Sequence, residues 1–101
     1  MKLVMVTAVE TFHKDVIQLF RKANIEVFSE SDIDGYKNTP SVLIANSWFP
    51  STQGGNESNL FFSFTDADKI DTLFNYITEF NSHLETNNPI RAVVVPIEKY
   101  I

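Results

Sequence analysis

Histidine and cysteine, the usual ligands of transition-metal sites, are scarce in this chain. The chain has two histidines, His13 and His83, and no cysteine. His13 lies near Glu10 and Asp15, and His83 lies near Glu85, so each could contribute to a weak site shared between subunits. Protein metal sites use about four ligands, with histidines or cysteines paired at short spacing, and neither histidine has such a partner. We therefore interpret both histidines as solvated side chains, and the sequence leaves metal binding open.

The sequence also lacks a recognisable catalytic pair. Serines are plentiful, but none lies in a strand–turn–helix elbow, and neither histidine has a motif partner. A carboxylate group formed by Asp66, Asp68 and Asp71 lies at the start of a predicted helix, where the helix dipole favours acidic residues. We therefore expect neither enzymatic activity nor a cofactor.

Composition excludes several classes of partner. The net charge is −5 and the pI is near 4.8, which argues against nucleic acid and anionic lipid. Phe61, Phe62 and Phe64 are similar to the aromatic sheet of an RNA-recognition fold, but the acidic balance weighs against that interpretation. No apolar run approaches the roughly 20 residues of a membrane span. Met1-Lys2-Leu3 leads directly into a strand pattern without an export segment, so a cytoplasmic protein is expected.

The hydrophobic pattern predicts one domain over residues 1–101 with the order βαββαβ. The strands are predicted at Leu3 to Val9, Ile25 to Ser31, Leu60 to Phe64 and Ile90 to Val95, with amphipathic helices after the first and third. This order indicates an α+β, ferredoxin-like sandwich with one antiparallel sheet and both helices on one face. Pro96 lacks a backbone donor, so the last strand is predicted at an edge.

The strands are apolar on both faces, although the helices cover only one. Val4 and Val6 share one face of the first strand, while Leu3 and Met5 share the other. Strands of this kind are expected to be buried on both faces. We therefore expect self-association through the bare face, most simply as a closed ring. The alternative is a monomer with Phe61 and its neighbours half exposed.

The predicted connection between the second and third strands is unusually long for a small domain. Residues 36–59 contain Trp48, the only tryptophan, beside Phe49 and Pro50. A connection of this length is usually functional or disordered, and a disordered linker would avoid such residues. We interpret Trp48 and Phe49 as anchors for a partner. The alternative is that Trp48 packs on its own protein.

The order and spacing of several motifs resemble those of the PII superfamily of trimeric signalling proteins. The resemblance covers nearly the whole chain. It includes the opening Met1-Lys2-Leu3 with Phe12, the segment Ile25 to Gly35 and the run Phe62-Ser63-Phe64-Thr65-Asp66. Near the end, Val93-Val94-Val95-Pro96-Ile97-Glu98 is similar to the family's Phe-Val-Phe-Pro-Val-Glu.

This resemblance implies a homotrimer with its sheets facing inward, and residues 36–59 as an arm that reaches partners. It nominates Ser29 and Gly35 as ligand-binding residues at the cleft between subunits, with Gly35 alternatively serving only the bend into the arm. Lys37 could offer charge to an anionic ligand, although such a lysine is more often only solvated.

The chain departs from the classical pattern at the phosphate-binding loop. Classical members read Thr-Gly-x-x-Gly-Asp-Gly-Lys, whereas residues 85–91 here contain no glycine. Arg91 alone could replace the basic residue, so classical ATP binding is not expected. The chain resembles a divergent PII-like group, some members of which accompany membrane transporters, including metal efflux systems. We expect a trimeric regulator that senses a small molecule or ion; the alternative is a structural trimer without an effector.

Overall fold

In the computed structural model, which describes residues 1–35, 56–84 and 88–101, the chain forms an antiparallel sheet and two α-helices. The elements are β1 (Lys2–Val9), a 3-10 turn (Glu10–Phe12), α1 (His13–Lys22), β2 (Ser29–Gly35), β3 (Asn56–Thr65), α2 (Ala67–Ser82) and β4 (Arg91–Pro96). The strand order is β2-β3-β1-β4, and each neighbouring pair is antiparallel. The predicted ferredoxin-like α+β fold is therefore confirmed, with β4 at an edge of the sheet.

The hydrophobic core lies between the two helices and one face of the sheet. Each helix turns an apolar stripe toward the sheet because its buried residues recur every three or four positions. These residues are Val16, Leu19 and Phe20 in α1, and Ile70, Leu73 and Ile77 in α2. The sheet contributes Val4, Val6, Ala8 and Phe61. Phe61 is 0% exposed and opposite Val6, so the sequence-based alternative that left it half exposed is wrong for this residue. Among the described residues, no helix combines the length and apolar character needed to cross a bilayer.

The end of α1 directs the chain toward β2. The backbone N–H of Ile25 donates to the carbonyl of Phe20 at 2.9 Å, and that of Asn24 donates to Arg21 at 3.0 Å. Asn24 has a positive φ of 61°, which asparagine tolerates better than most residues. This is a Schellman arrangement, and it buries Ile25 at the end of the helix instead of in a strand.

Two strands differ from the sequence-based prediction by more than one residue at a boundary. The second strand was expected over Ile25 to Ser31, whereas β2 begins at Ser29 and continues to Gly35. The third was expected from Leu60, whereas β3 begins at Asn56. The loop predicted over residues 36–59 is therefore corrected at its end, because 56–59 pair with β2 and 58–59 also pair with β1. The rest of that loop lies outside the described residues.

Candidate functional site

The sheet has one face that neither helix covers, which we call the open face. Directly opposed residues of an antiparallel pair point to the same side, so the register defines its members. They are Leu3, Met5, Thr7 and Val9 from β1, Ser58, Leu60, Phe62 and Phe64 from β3, Arg91, Val93 and Val95 from β4, and Ser29, Ser31 and Ile33 from β2. On this face, strands β3, β1 and β4 are predominantly apolar, as the two-faced strand pattern predicted.

Large apolar side chains on the open face are in contact with water in a single chain. Phe64 is 55% exposed, Val95 is 40% exposed and Val93 is 36% exposed. The rings of Phe62 and Phe64 pack edge to face, with centroids 6.4 Å apart. In the strand register, Leu3 and Met5 of β1 lie between these rings and the two valines, so the apolar row crosses β3, β1 and β4. A contiguous apolar patch of this kind is typical of a protein–protein contact.

Two polar groups on the open face lack hydrogen-bond partners. Thr7 is opposite Arg91 in the register of β1 and β4. Thr7 is 0% exposed and its Oγ1 has no partner, and the buried Nε of Arg91 also has none. Arginine is a pure donor and a hydroxyl can also donate, so this pair is suited to an oxyanion or carboxylate acceptor. Arg91 was a candidate from the sequence, whereas Thr7 was missed because it reads as an ordinary β-branched strand residue.

The other described candidates lie at the opposite edge of the sheet. Ser29 and Gly35 are at the two ends of β2, about 20 Å apart at a rise of about 3.3 Å per residue. Three strand spacings separate β2 from β4, or about 14 Å. One chain therefore does not bring Ser29 or Gly35 to Arg91, and only a second copy could do so. Lys37, Trp48 and Phe49 lie outside the described residues.

The histidines and the helix-start aspartates have simpler surroundings. His13 Nε2 contacts Glu30 Oε2, instead of the nearby Glu10 or Asp15 considered from the sequence. His83 follows the end of α2, while Asp66 is the N-cap of that helix and Asp68 lies in its first turn. Within the described ranges, no three histidine, aspartate or glutamate side chains converge to hold a metal ion.

A group of carboxylates that sequence analysis missed lies on the helix side of β2. Asp32 accepts a hydrogen bond from Asn59 Nδ2 at 2.9 Å. A hydrogen bond with Glu10, together with the charge of Glu10, raises the pKa of the exposed Glu57 carboxyl. The period-two pattern Glu30-x-Asp32-x-Asp34 is the signal that could have found this group.

Comparison with known proteins identifies the fold of this chain but does not assign it to a family. No protein-family model and no curated protein sequence matches the chain. A DUF3240 family protein from Shewanella baltica is similar in structure at a TM-score of 0.67 and 18% identity, covering 98% of this chain and 91% of that one. CPII from Thiomonas intermedia, a nitrogen regulatory PII-like protein bound to ADP, AMP and bicarbonate, has a TM-score of 0.63 at 9% identity, covering 99% and 94%. The chain therefore has a PII-like fold.

Proposed function

We propose that the chain is a PII-like regulatory protein that assembles as a homotrimer through the open face. The observation that carries this proposal is the exposed apolar surface formed by Phe64, Val93 and Val95 on a sheet whose other face holds the core. Burying such a surface against other copies is favourable at roughly 25 cal/mol per Å². Closed symmetry is the ordinary way in which a homo-oligomer covers a face of this kind.

The proposed effector is a small oxyanion held between subunits. Thr7 in β1 and Arg91 in the edge strand β4 supply unpartnered donors, and Ser29 and Gly35 lie in β2 at the other edge, where a neighbouring copy would meet them. The Thiomonas protein, which shares the fold, is described as bound to nucleotides and bicarbonate. The glycine-free segment 85–91 offers little backbone approach to a triphosphate, which favours a smaller anion such as bicarbonate.

In this proposal, the segment that follows Gly35, the arm, transmits the signal by contacting a partner protein. Trp48 and Phe49 would anchor a membrane transporter, such as a metal efflux system, or an enzyme, because tryptophan is a preferred residue of binding hot spots. Lys37, two residues after Gly35 in the sequence, would offer its charge to the anionic effector. Since Trp48 is the only tryptophan, its fluorescence reports directly on the arm when an effector is added.

The decisive experiment titrates bicarbonate, nucleotides and divalent metals into the protein while recording Trp48 fluorescence and mass by light scattering. We expect a trimer, and a bicarbonate-dependent signal that Arg91→Gln weakens at least tenfold, about 1.4 kcal/mol. Lys69→Gln is the matched control, since it removes the same charge from α2. A monomeric protein, or equal responses in the two variants, would contradict the proposal.

The alternative is a structural trimer that binds no effector. The lack of glycine in residues 85–91 favours it, because the classical phosphate cradle is missing. An intact trimer that gives no fluorescence response to any ligand in the screen would support this alternative over the sensor.

A further inference from the structure

Carboxylates concentrate on the helix side of the sheet, at the end where β2 leads into the arm. Residues 30, 32 and 34 of β2 all face this side, and Asp34 is opposite Glu57 in β3. Glu10, in the 3-10 turn after β1, lies among them. Lys14 is the neighbouring cation, and it forms no ion pair with a described carboxylate. Negative charge is therefore in excess here, and the proximity of Glu10 raises the pKa of the Glu57 carboxyl.

Asn59 is buried at the centre of this carboxylate group with one polar atom unsatisfied. The residue is 1% exposed, and its Nδ2 donates to Asp32 Oδ1 at 2.9 Å. Donation to the carboxylate fixes the orientation of the amide, so its Oδ1 is an acceptor on the other side, and that atom has no partner. A buried acceptor without a donor is uncommon in folded proteins and requires an explanation.

Two adjoining depressions meet at Glu10 and Asp32. The first depression has a volume of about 490 Å³. Besides Glu10 and Asp32, it is lined by Thr11, His13, Lys14, Glu30 and Asn59. The other, of about 300 Å³, is also lined by Asp34 and Glu57. Because they share Glu10 and Asp32, we treat the two depressions as one acidic groove. Each has a volume within the usual order of a small-molecule site, about 300–1,000 Å³.

The chemistry of the groove selects for a ligand that carries several N–H donors and positive charge. Ionised carboxylates and Asn59 Oδ1 only accept hydrogen bonds. A bare metal ion is disfavoured, because no three of the described His, Asp and Glu side chains converge on one point. Ammonium groups joined by a carbon chain suit carboxylates that are spread along a groove, since each forms its own charge-assisted hydrogen bonds.

We propose that this groove binds a linear aliphatic di- or polyamine. One ammonium group donates to Asn59 Oδ1 and to Asp32, and a second reaches Asp34 and Glu57 in the adjoining depression. The site is distinct from the proposed effector site, because it lies on the helix side of the sheet instead of the open face. Binding here requires neither the trimer nor an oxyanion, so the two proposals fail independently.

The test is a titration of the ¹⁵N-labelled protein with spermidine and putrescine at constant ionic strength, followed by NMR and calorimetry. We expect shifts confined to Asn59, Asp32, Asp34, Glu10 and Glu57, and no response to the neutral analogue 1,4-butanediol. Asp32→Asn should weaken spermidine binding at least tenfold. Asp71→Asn, which makes the same charge change on the exposed side of α2, should leave binding unchanged.

Circular dichroism melting would establish that each variant is folded. Glu57→Gln provides a second, independent test. We expect this variant to weaken the binding of spermidine more than the binding of putrescine. Equal loss in Asp32→Asn and Asp71→Asn, or shifts spread over all surface carboxylates, would overturn the proposal in favour of non-specific attraction. Tighter binding of Mg²⁺ or Zn²⁺ with the same shifts would overturn it in favour of a metal site.

Discussion

Replacing Phe64 by alanine should separate assembly from folding. A phenylalanine side chain can bury about 200 Å², and Phe64 is 55% exposed in the single chain. Assembly through the open face can therefore bury about 100 Å² of it per chain, and at roughly 25 cal/mol per Å² this is about 2 kcal/mol. Over three chains the loss is about 6 kcal/mol. Because half-assembly of a trimer varies as the square root of its dissociation constant, the half-assembly concentration should rise about 100-fold.

Sedimentation equilibrium over a dilution series measures this concentration directly. The wild-type protein should run as three copies of the 11.5 kDa chain at micromolar concentration. Val27→Ala is the control, because Val27 is 83% exposed but lies before β2 and outside the sheet. An unchanged midpoint in Phe64→Ala, or the same change in Val27→Ala, would refute the assignment of the open face as the interface.

Three further results are expected. Phe61→Ala should lower the free energy of unfolding by about 3–5 kcal/mol in urea, independently of concentration, because Phe61 is 0% exposed and its ring lies 6.0 Å from that of Phe20. A ¹³C titration should place the Glu57 pKa above 4.5, with Glu10→Ala lowering it. Because the folded chain holds that proton more tightly, this contribution to stability is present at low pH and is lost as pH rises through the folded pKa. ATP and ADP should bind more weakly than about 100 μM, since residues 85–91 lack glycine, and low-micromolar affinity by calorimetry would disprove this.

The fold was predictable because the apolar periodicity of each element agrees with the final arrangement. The position of β2 along the chain was not predictable from that periodicity. Ile25 and Val27 have high strand propensity, yet Ile25 is needed to close the end of α1 and Val27 stays outside the sheet. Asp32 and Asp34 have low strand propensity, yet they are in β2 because pairing with β3 decides the outcome.

The candidate site was predictable only in part, for a related reason. Arg91 could be nominated by resemblance, because a lone basic residue after a polar segment is visible in the sequence. Thr7 and Asn59 could not, since each becomes significant only through a register that places it beside Arg91 or Asp32. A missing hydrogen-bond partner is a property of three-dimensional structure and has no sequence signal.

The two edges of the sheet limit how the protein can aggregate. The outer edge of β2 carries Glu30, Asp32 and Asp34, so a second copy approaching it strand to strand would bring like charges into register. At the other edge, Pro96 ends β4 and removes a backbone donor. Charged and proline-bearing edges oppose the open-ended growth of sheets that leads to fibrils. Copies that cover the exposed apolar face can therefore stack face to face without the sheet being extended indefinitely.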